Sequence, residues 1–313
     1  MTKEALQAPG MRVERGGVIP GTPGLPAFAF TGPAPSALPV LIAVPHAGRT
    51  YPRALLERMR NPAFAALRLE DRHADTLAES VAAQTGAGLL VAHAPRALVD
   101  LNRAPDDVDW EMFGLTAPER DRPPAGQRAR SGLGLVPRRL PGFGELWKRR
   151  HAPEDLDRCL ADVHSPWHAA VARELAALRE RWGVAVLLDF HSMPPLAPSG
   201  GCKGAQVVVG DRFGASCHGA LAASAFSHFA ASGWLAAHNR PYAGGYGLQR
   251  HADPAGAIHA VQIEIDRACY LDSRLEEPGA GLAEVAGVLA GLVRALADEA
   301  VRLASGETRL AAE

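Results

Sequence analysis

Two histidines in this chain are placed alike. His46 directly follows the apolar run Pro39–Pro45, and His191 stands two residues past the run Gly183–Asp189. Small or turn-forming residues come next in both cases, Ala47-Gly48 and Ser192-Met193-Pro194. A short run that is apolar at nearly every position reads as a strand buried on both faces, and ligands of parallel α/β sheets bind just past the carboxyl ends of the strands. Both imidazoles are therefore expected at one edge of one sheet, where a metal could hold them. A single such histidine would be read as a core residue; the pair favours a metal. Zinc bound by two histidines takes a carboxylate as third ligand and keeps a fourth position for water. The run Glu70-Asp71-Arg72-His73-Ala74-Asp75 offers that ligand, Asp71 first and Glu70 as the close alternative. The same acids would also suit the cap and first turn of a helix, and His73 is expected to be exposed.

Metal-assisted hydrolysis needs a base to take a proton from water and return it to the leaving group. Glu264 is the candidate. In Ala260–Arg267 a period of two puts Val261, Ile263 and Ile265 on one face and Gln262, Glu264 and Asp266 on the other. A carboxylate inside so apolar a strand is costly to bury unless paired, and an active-site role accounts for it. The competing reading is an edge strand with a solvated polar face. Asp189 shares a face with His191 if the strand runs on through Phe190, and could then orient that imidazole.

Substrate anchors are suggested in three places. Arg96, Asn102 and Arg103 lie in one stretch, where guanidinium forks and an amide match a carboxylate. Asn239 and Tyr242 sit on a turn imposed by Pro241 and Gly244-Gly245. Arg130 belongs to a cluster with Arg128, Arg138 and Arg139 in a Pro/Gly-rich excursion at 104–150. A loop of that length is either a functional lid or a flexible excursion, and the sequence supports the two equally.

The elements that must position these groups alternate. Strands are expected at 39–45, 88–93, 184–190, 205–209 and 258–266, with helices at 71–85, 166–182, 214–232 and 280–304. This predicts an α/β fold: a single domain over 26–305 with one central, mixed but mostly parallel sheet flanked by helices, preceded by an N-terminal arm at 1–25. The 313 residues, 47% hydrophobic, suffice for such a core. A net charge of −1 gives no bulk attraction to nucleic acid or anionic membrane, so any anion recognition must be local; with the arginine and asparagine clusters above, the expected partner is a small acidic molecule. The four cysteines form no C-x-x-C pair, which argues against a thiolate metal site or disulfide framework and fits a reducing cytosol. No signal peptide is evident before residue 24, and the alanine-rich stretch 280–300 carries Glu284, Arg294, Asp298 and Glu299, so a cytoplasmic protein is expected. Nothing specifies an oligomeric state. G-x-S-x-G, G-x-x-x-x-G-K-[ST] and H-E-x-x-H motifs are absent.

Seven segments in order, Val44–Pro52, Glu70–Asp75, Arg96–Arg103, Arg130–Pro137, Asp189–Pro194, Asn239–Tyr246 and Gln262–Arg267, resemble the N-formylglutamate amidohydrolase family. The resemblance runs from about residue 39 to 272. It implies a zinc-carboxypeptidase-like (phosphorylase/hydrolase-like) fold, related also to aspartoacylase-like deacylases. It also implies removal of formate from N-formyl-L-glutamate, a late step of histidine breakdown. His46 and His191 match the family's metal histidines, Glu264 its general base, and Asn102-Arg103 the pair that holds a substrate carboxylate in the wider superfamily. Two positions depart from the pattern: Arg49 stands where the superfamily commonly has a metal-binding Glu, and Asp266 where relatives often carry Asn. The expectation is a zinc amidohydrolase acting on an N-formyl acidic amino acid, its metal on His46, Asp71 and His191. Its rivals are a carboxypeptidase-like or other N-acyl amino acid deacylase, and a non-catalytic metabolite-binding protein.

Overall fold

A computed structural model describes residues 10–115, 124–198 and 204–310. Eight strands form one sheet: β1 (Met11–Gly16), β2 (Phe28–Pro33), β3 (Val40–Val44), β4 (Gly88–Ala92), β5 (Ala185–Met193), β6 (Val207–Gly210), β7 (Ala236–His238) and β8 (Ile258–Asp266). Their spatial order is β1-β2-β4-β3-β5-β8-β6-β7. The four central strands β4, β3, β5 and β8 are parallel, while β2 and β6 run antiparallel to their central neighbours. The sheet is mixed with a parallel centre, as the sequence led us to expect.

Helices cover both faces, which explains why the central strands are apolar throughout. On one face Ile42, Leu188, Phe190, Val261 and Ile263 pack under α2 (Ala74–Thr85), α4 (Gly219–Ala231) and α6 (Leu282–Leu310). On the other, Leu41, Ala43, Leu187 and Ala260 pack under α3 (Ser165–Trp182) and α1 (Pro62–Leu69). In α2 the buried residues Ala74, Leu77, Ala78 and Val81 follow the helical repeat, and the helix ends at Gly86 with a φ of 74°. It starts three residues later than the sequence suggested, because Asp71 donates its backbone N–H to the His46 carbonyl and His73 is left-handed at φ 54°.

Two segments carry more regular structure than the sequence suggested. Residues 11–16, assigned to an arm, pair with β2 as the edge of the sheet. The 104–150 excursion holds a 3-10 turn at Trp110–Phe113, a short helix at Gln127–Arg130 and a small ladder of Arg139–Leu140 with Gly144–Glu145. It is anchored in the second core by Val108, Met112, Leu135 and Trp147, all buried; residues 116–123 lie outside the described residues. Cys159, Cys217 and Cys269 are free thiols, and Cys202 lies outside the described residues. Among the described residues, no helix is long and apolar enough to cross a membrane.

Three buried histidines brace the joint between α3 and α5 (Tyr246–His251). His168 Nδ1 and His251 Nε2 are 2.8 Å apart with near-parallel rings, and His164 packs on His168. Burial, then the neighbouring cations and imidazoles, pushes His168 down to about 2 and His251 down to about 4. Because these folded-state values lie below the ordinary 6.5, the unfolded chain takes up protons first as the pH falls. Their contribution to stability is complete above about 6.5 and is lost progressively as the pH falls, toward 4 for His251 and toward 2 for His168, by at most about 2 kcal/mol per imidazole at pH 5. In urea titrations at pH 7.5, 6 and 5 the native protein should lose stability relative to H251Q as the pH falls; a native-minus-H251Q difference that does not change with pH would contradict this assignment.

Candidate active site

The carboxyl ends of β3 and β5 are adjacent and parallel, and each delivers one histidine. His46 lies two residues past β3, and His191 sits near the end of β5; their ring centres are 4.7 Å apart. The chain turns tightly after His46, where a Cβ on Gly48 would collide with the carbonyl of Ala94. Parallel pairing of β8 with β5 places Glu264 opposite His191 and Gln262 opposite Asp189. These four side chains share the sheet face that carries Leu187 and Ala260, since side chains alternate along each strand.

Asp71 completes the group. Its Oδ2 is 3.0 Å from His191 Nδ1 and 3.6 Å from His46 Nδ1, and one ligand atom from each of the three residues lies within 4.8 Å of the others. All three side chains are buried. Glu70, the alternative, instead pairs with Arg72 at 3.1 Å. The far nitrogen of each ring faces a second carboxylate: His46 Nε2 is 2.7 Å from Asp100 Oδ1, and His191 Nε2 is 3.2 Å from Asp189 Oδ2. Arg267 donates to Asp71 Oδ1 at 3.1 Å and to the Glu70 carbonyl at 2.6 Å, which leaves Oδ2 turned toward the imidazoles.

This donor set fits a divalent cation. Two Nδ1 atoms and one carboxylate oxygen converge; the Asp100 acceptor on His46 Nε2 holds that ring with Nδ1 inward, as a metal-binding histidine requires, and the Asp189 carboxylate lies 3.2 Å from His191 Nε2. Burial alone would raise Asp71, but hydrogen bonds from His191 and His46 outweigh it and hold the carboxyl well below the ordinary range. Likewise burial opposes ionisation of Asp100, and Arg96 followed by His46 overcomes it. His191, which burial would push down, is held well above its usual value by Asp189 and Asp71. Glu264 behaves differently: burial, only partly offset by His191 and reinforced by Asp71, pushes it up to about 7. Gln262 donates to Glu264 Oε1 at 3.0 Å.

The group lies in a cavity of about 610 Å³. His46, Asp71, His191, Glu264, Arg96, Asn102, Arg103 and Tyr242 all line it. Arg96 is committed to Asp100, with Nε and Nη2 both 2.9 Å from Oδ2. Arg103 donates to the carbonyls of Leu133 and Asn102. Asn102 spans the site: its Oδ1 accepts from the Gly247 N–H, and its Nδ2 is 3.2 Å from His191 Nε2. Arg130 and Asn239 do not line the cavity. Arg130 is exposed and bonds the Ala125 carbonyl, while Asn239 is buried against Asp211, to which it donates at 2.7 Å. His73 is half-buried, 3.3 Å from Glu277. Arg49 pairs with Asp75, and Asp266 caps the turn at Ala268, so neither departure from the family pattern reaches the cavity.

Sequence reasoning gave no role to Asp100 or Arg267, although both stand in the segments it singled out. The nearest signal was the four-residue spacing of Arg96 and Asp100, which permits an internal ion pair.

The sequence profile of the N-formylglutamate amidohydrolase family matches residues 38–271. The chain belongs to that family. It is 32% identical over 284 residues, 88% of this chain and 96% of the relative, to an N-formylglutamate deformylase of Pseudomonas aeruginosa. A deformylase of the same name from Pseudomonas putida is 33% identical over 241 residues, 75% of this chain and 82% of its own length. Among solved structures, the N-formylglutamate amidohydrolase of Ralstonia eutropha superposes with a TM-score of 0.73 at 29% identity, covering 90% of this chain and 99% of that one. A gene product of Agrobacterium tumefaciens shares the fold at a TM-score of 0.56 and 18% identity, with 92% and 95% covered.

If Asp100 fixes the His46 ring, D100N should weaken divalent-metal affinity by on the order of 10–100-fold. Competition against a chromogenic chelator measures this, and an affinity equal to that of the native protein would remove the orienting role.

Proposed function

We propose that this protein hydrolyses the formyl amide of an N-formyl acidic amino acid, first of all N-formyl-L-glutamate, giving formate and L-glutamate. The observation that carries the proposal is Glu264, buried beside His191 at the floor of an arginine-bordered cavity and pushed up to about 7. A general base works best with a pKa near the working pH, where it can both accept and return a proton. The family membership and the names of the relatives support the choice of substrate.

A divalent cation, zinc by the chemistry of the donors, would be held by His46, Asp71 and His191, and when bound would act as a Lewis acid on the formyl carbonyl and acidify water beside it. Glu264 takes the proton of the attacking water. It then delivers that proton to the amide nitrogen, so the C–N bond breaks with a neutral amine leaving. Gln262, by donating to Oε1, fixes the carboxylate's orientation during the transfer. Asn102 and Arg103, with Tyr242 across the cavity, hold the substrate carboxylate next to the amide. Arg96 acts behind them, through Asp100, on the orientation of His46. In the cell we place this reaction late in histidine breakdown, as the family resemblance implies.

Metal-loaded protein incubated with N-formyl-L-glutamate should release formate, measured against N-acetyl-L-glutamate and unacylated dipeptides. Acetate or amino acid released faster than formate would move the protein to the broader deacylase or carboxypeptidase class, and no release at all would favour a binding role. E264Q should lower kcat by on the order of 100- to 10,000-fold with metal content unchanged; full activity in that variant would exclude Glu264 as the base.

A further inference from the structure

Among the described residues, six arginines border the cavity, and they fall into two sets. Arg96, Arg103 and Arg267 lie deep and are engaged by the protein's own acceptors: Asp100, the carbonyls of Leu133 and Asn102, and Asp71. Arg68, Arg128 and Arg274 are exposed at the rim. They come from three separate segments: the last turn of α1, the short helix Gln127–Arg130, and the loop after β8. Among the described residues, no ion pair or side-chain hydrogen bond ties any of the three down. Other arginines of this chain are paired with carboxylates, as Arg58 is with Asp155 and Arg138 with Asp109. Asp272, two residues before Arg274, spends its Oδ1 on the backbone N–H groups of Arg274 and Glu276. The Arg68 guanidinium lies 5.2 Å from the centre of the Phe64 ring, which stacks on Phe143, so its stem is held from the apolar side.

Three cations line one rim, and among the described residues no carboxylate forms an ion pair with any of them; Asp272, the acid that acts electrostatically on Arg274, spends its Oδ1 on backbone N–H groups. We infer that Arg68, Arg128 and Arg274 form the subsite for the side-chain carboxylate of the substrate, and so select N-acyl dicarboxylic amino acids over neutral ones. The inference rests on reading this cavity as the deformylase site. The chemistry of such a substrate fits the two levels of arginine. Its α-carboxylate adjoins the carbon that bears the reacting nitrogen, so it stays near the floor with Asn102 and Arg103. Its side-chain carboxylate lies several bonds further out and reaches toward the rim. Guanidinium forks donate to a carboxylate bidentately, and exposed cations at a cavity mouth draw a dianion in before it docks.

The test is R68Q, R128Q and R274Q, singly and together, assayed on N-formyl-L-glutamate and N-formyl-L-glutamine; glutarate binding is followed by calorimetry on the same proteins. These side chains are exposed, and circular dichroism verifies that each variant folds. The triple variant should lose at least about tenfold in kcat/KM on the glutamate substrate, mainly through KM, while turnover of the glutamine substrate stays close to native. Glutarate should bind the native protein and weaken in parallel. Arginine-to-lysine variants should retain part of the preference. An unchanged glutamate-to-glutamine ratio in the triple variant overturns the inference. If the native protein hydrolyses neither substrate, the deformylase reading fails on its own, and the glutarate arm still decides: absent binding, or equal binding to native and triple-variant protein, overturns the subsite.

Discussion

Asp71 is the constraint on which the rest of the site depends. A carboxylate this deeply buried must be matched on every side, and here the matches are two imidazole nitrogens on Oδ2 and the Arg267 guanidinium on Oδ1. Its backbone N–H is tied to the carbonyl of His46. Side chain and main chain thus fix the same residue relative to both histidines. The beginning of α2 gives way to that requirement: the helix forms only after Asp71 and its two successors have been set as a turn.

Around this centre the charges alternate outward. The inner carboxylate is surrounded by imidazoles, the imidazoles face Asp100 and Asp189, and Asp100 is in turn covered by Arg96. Each group thereby offsets the cost of burying its neighbour, which an isolated ion could not do. Glu264 is the exception, because no cation touches it directly and its closest partner is the neutral amide of Gln262. That asymmetry separates Asp71, whose carboxyl is held well below the ordinary range, from Glu264, which is pushed up to about 7.

Much of this was legible in the chain. Strand-terminal histidines announce themselves by the apolar runs before them, and the alternation around Glu264 fixed the face it shares with Gln262. Other features depended on information a single segment does not carry. Choosing between Glu70 and Asp71 requires knowing which way the chain turns after α1. Arg96 looked like an anchor for a foreign anion because an arginine near an amide has the same appearance whether its anion is a substrate or Asp100. The contact of Asp100 with His46 spans 54 residues, so no local spacing reveals it. β1 went unseen because its edge position lets Arg12, Glu14 and Arg15 interrupt the apolar pattern.

The strand ends and the cavity mouth are built from different parts of the chain. His46, His191, Gln262 and Glu264 sit on or just past the central strands of the sheet, whereas Arg68, Arg128 and Arg274 of the outer wall come from α1, the 104–150 excursion and the loop after β8. The excursion is pinned to the scaffold through Leu135, whose carbonyl receives the N–H of Asp100. Descendants of this chain are therefore free to rewrite the outer wall, and with it the molecules they admit, while inheriting the His46, Asp71 and His191 group intact.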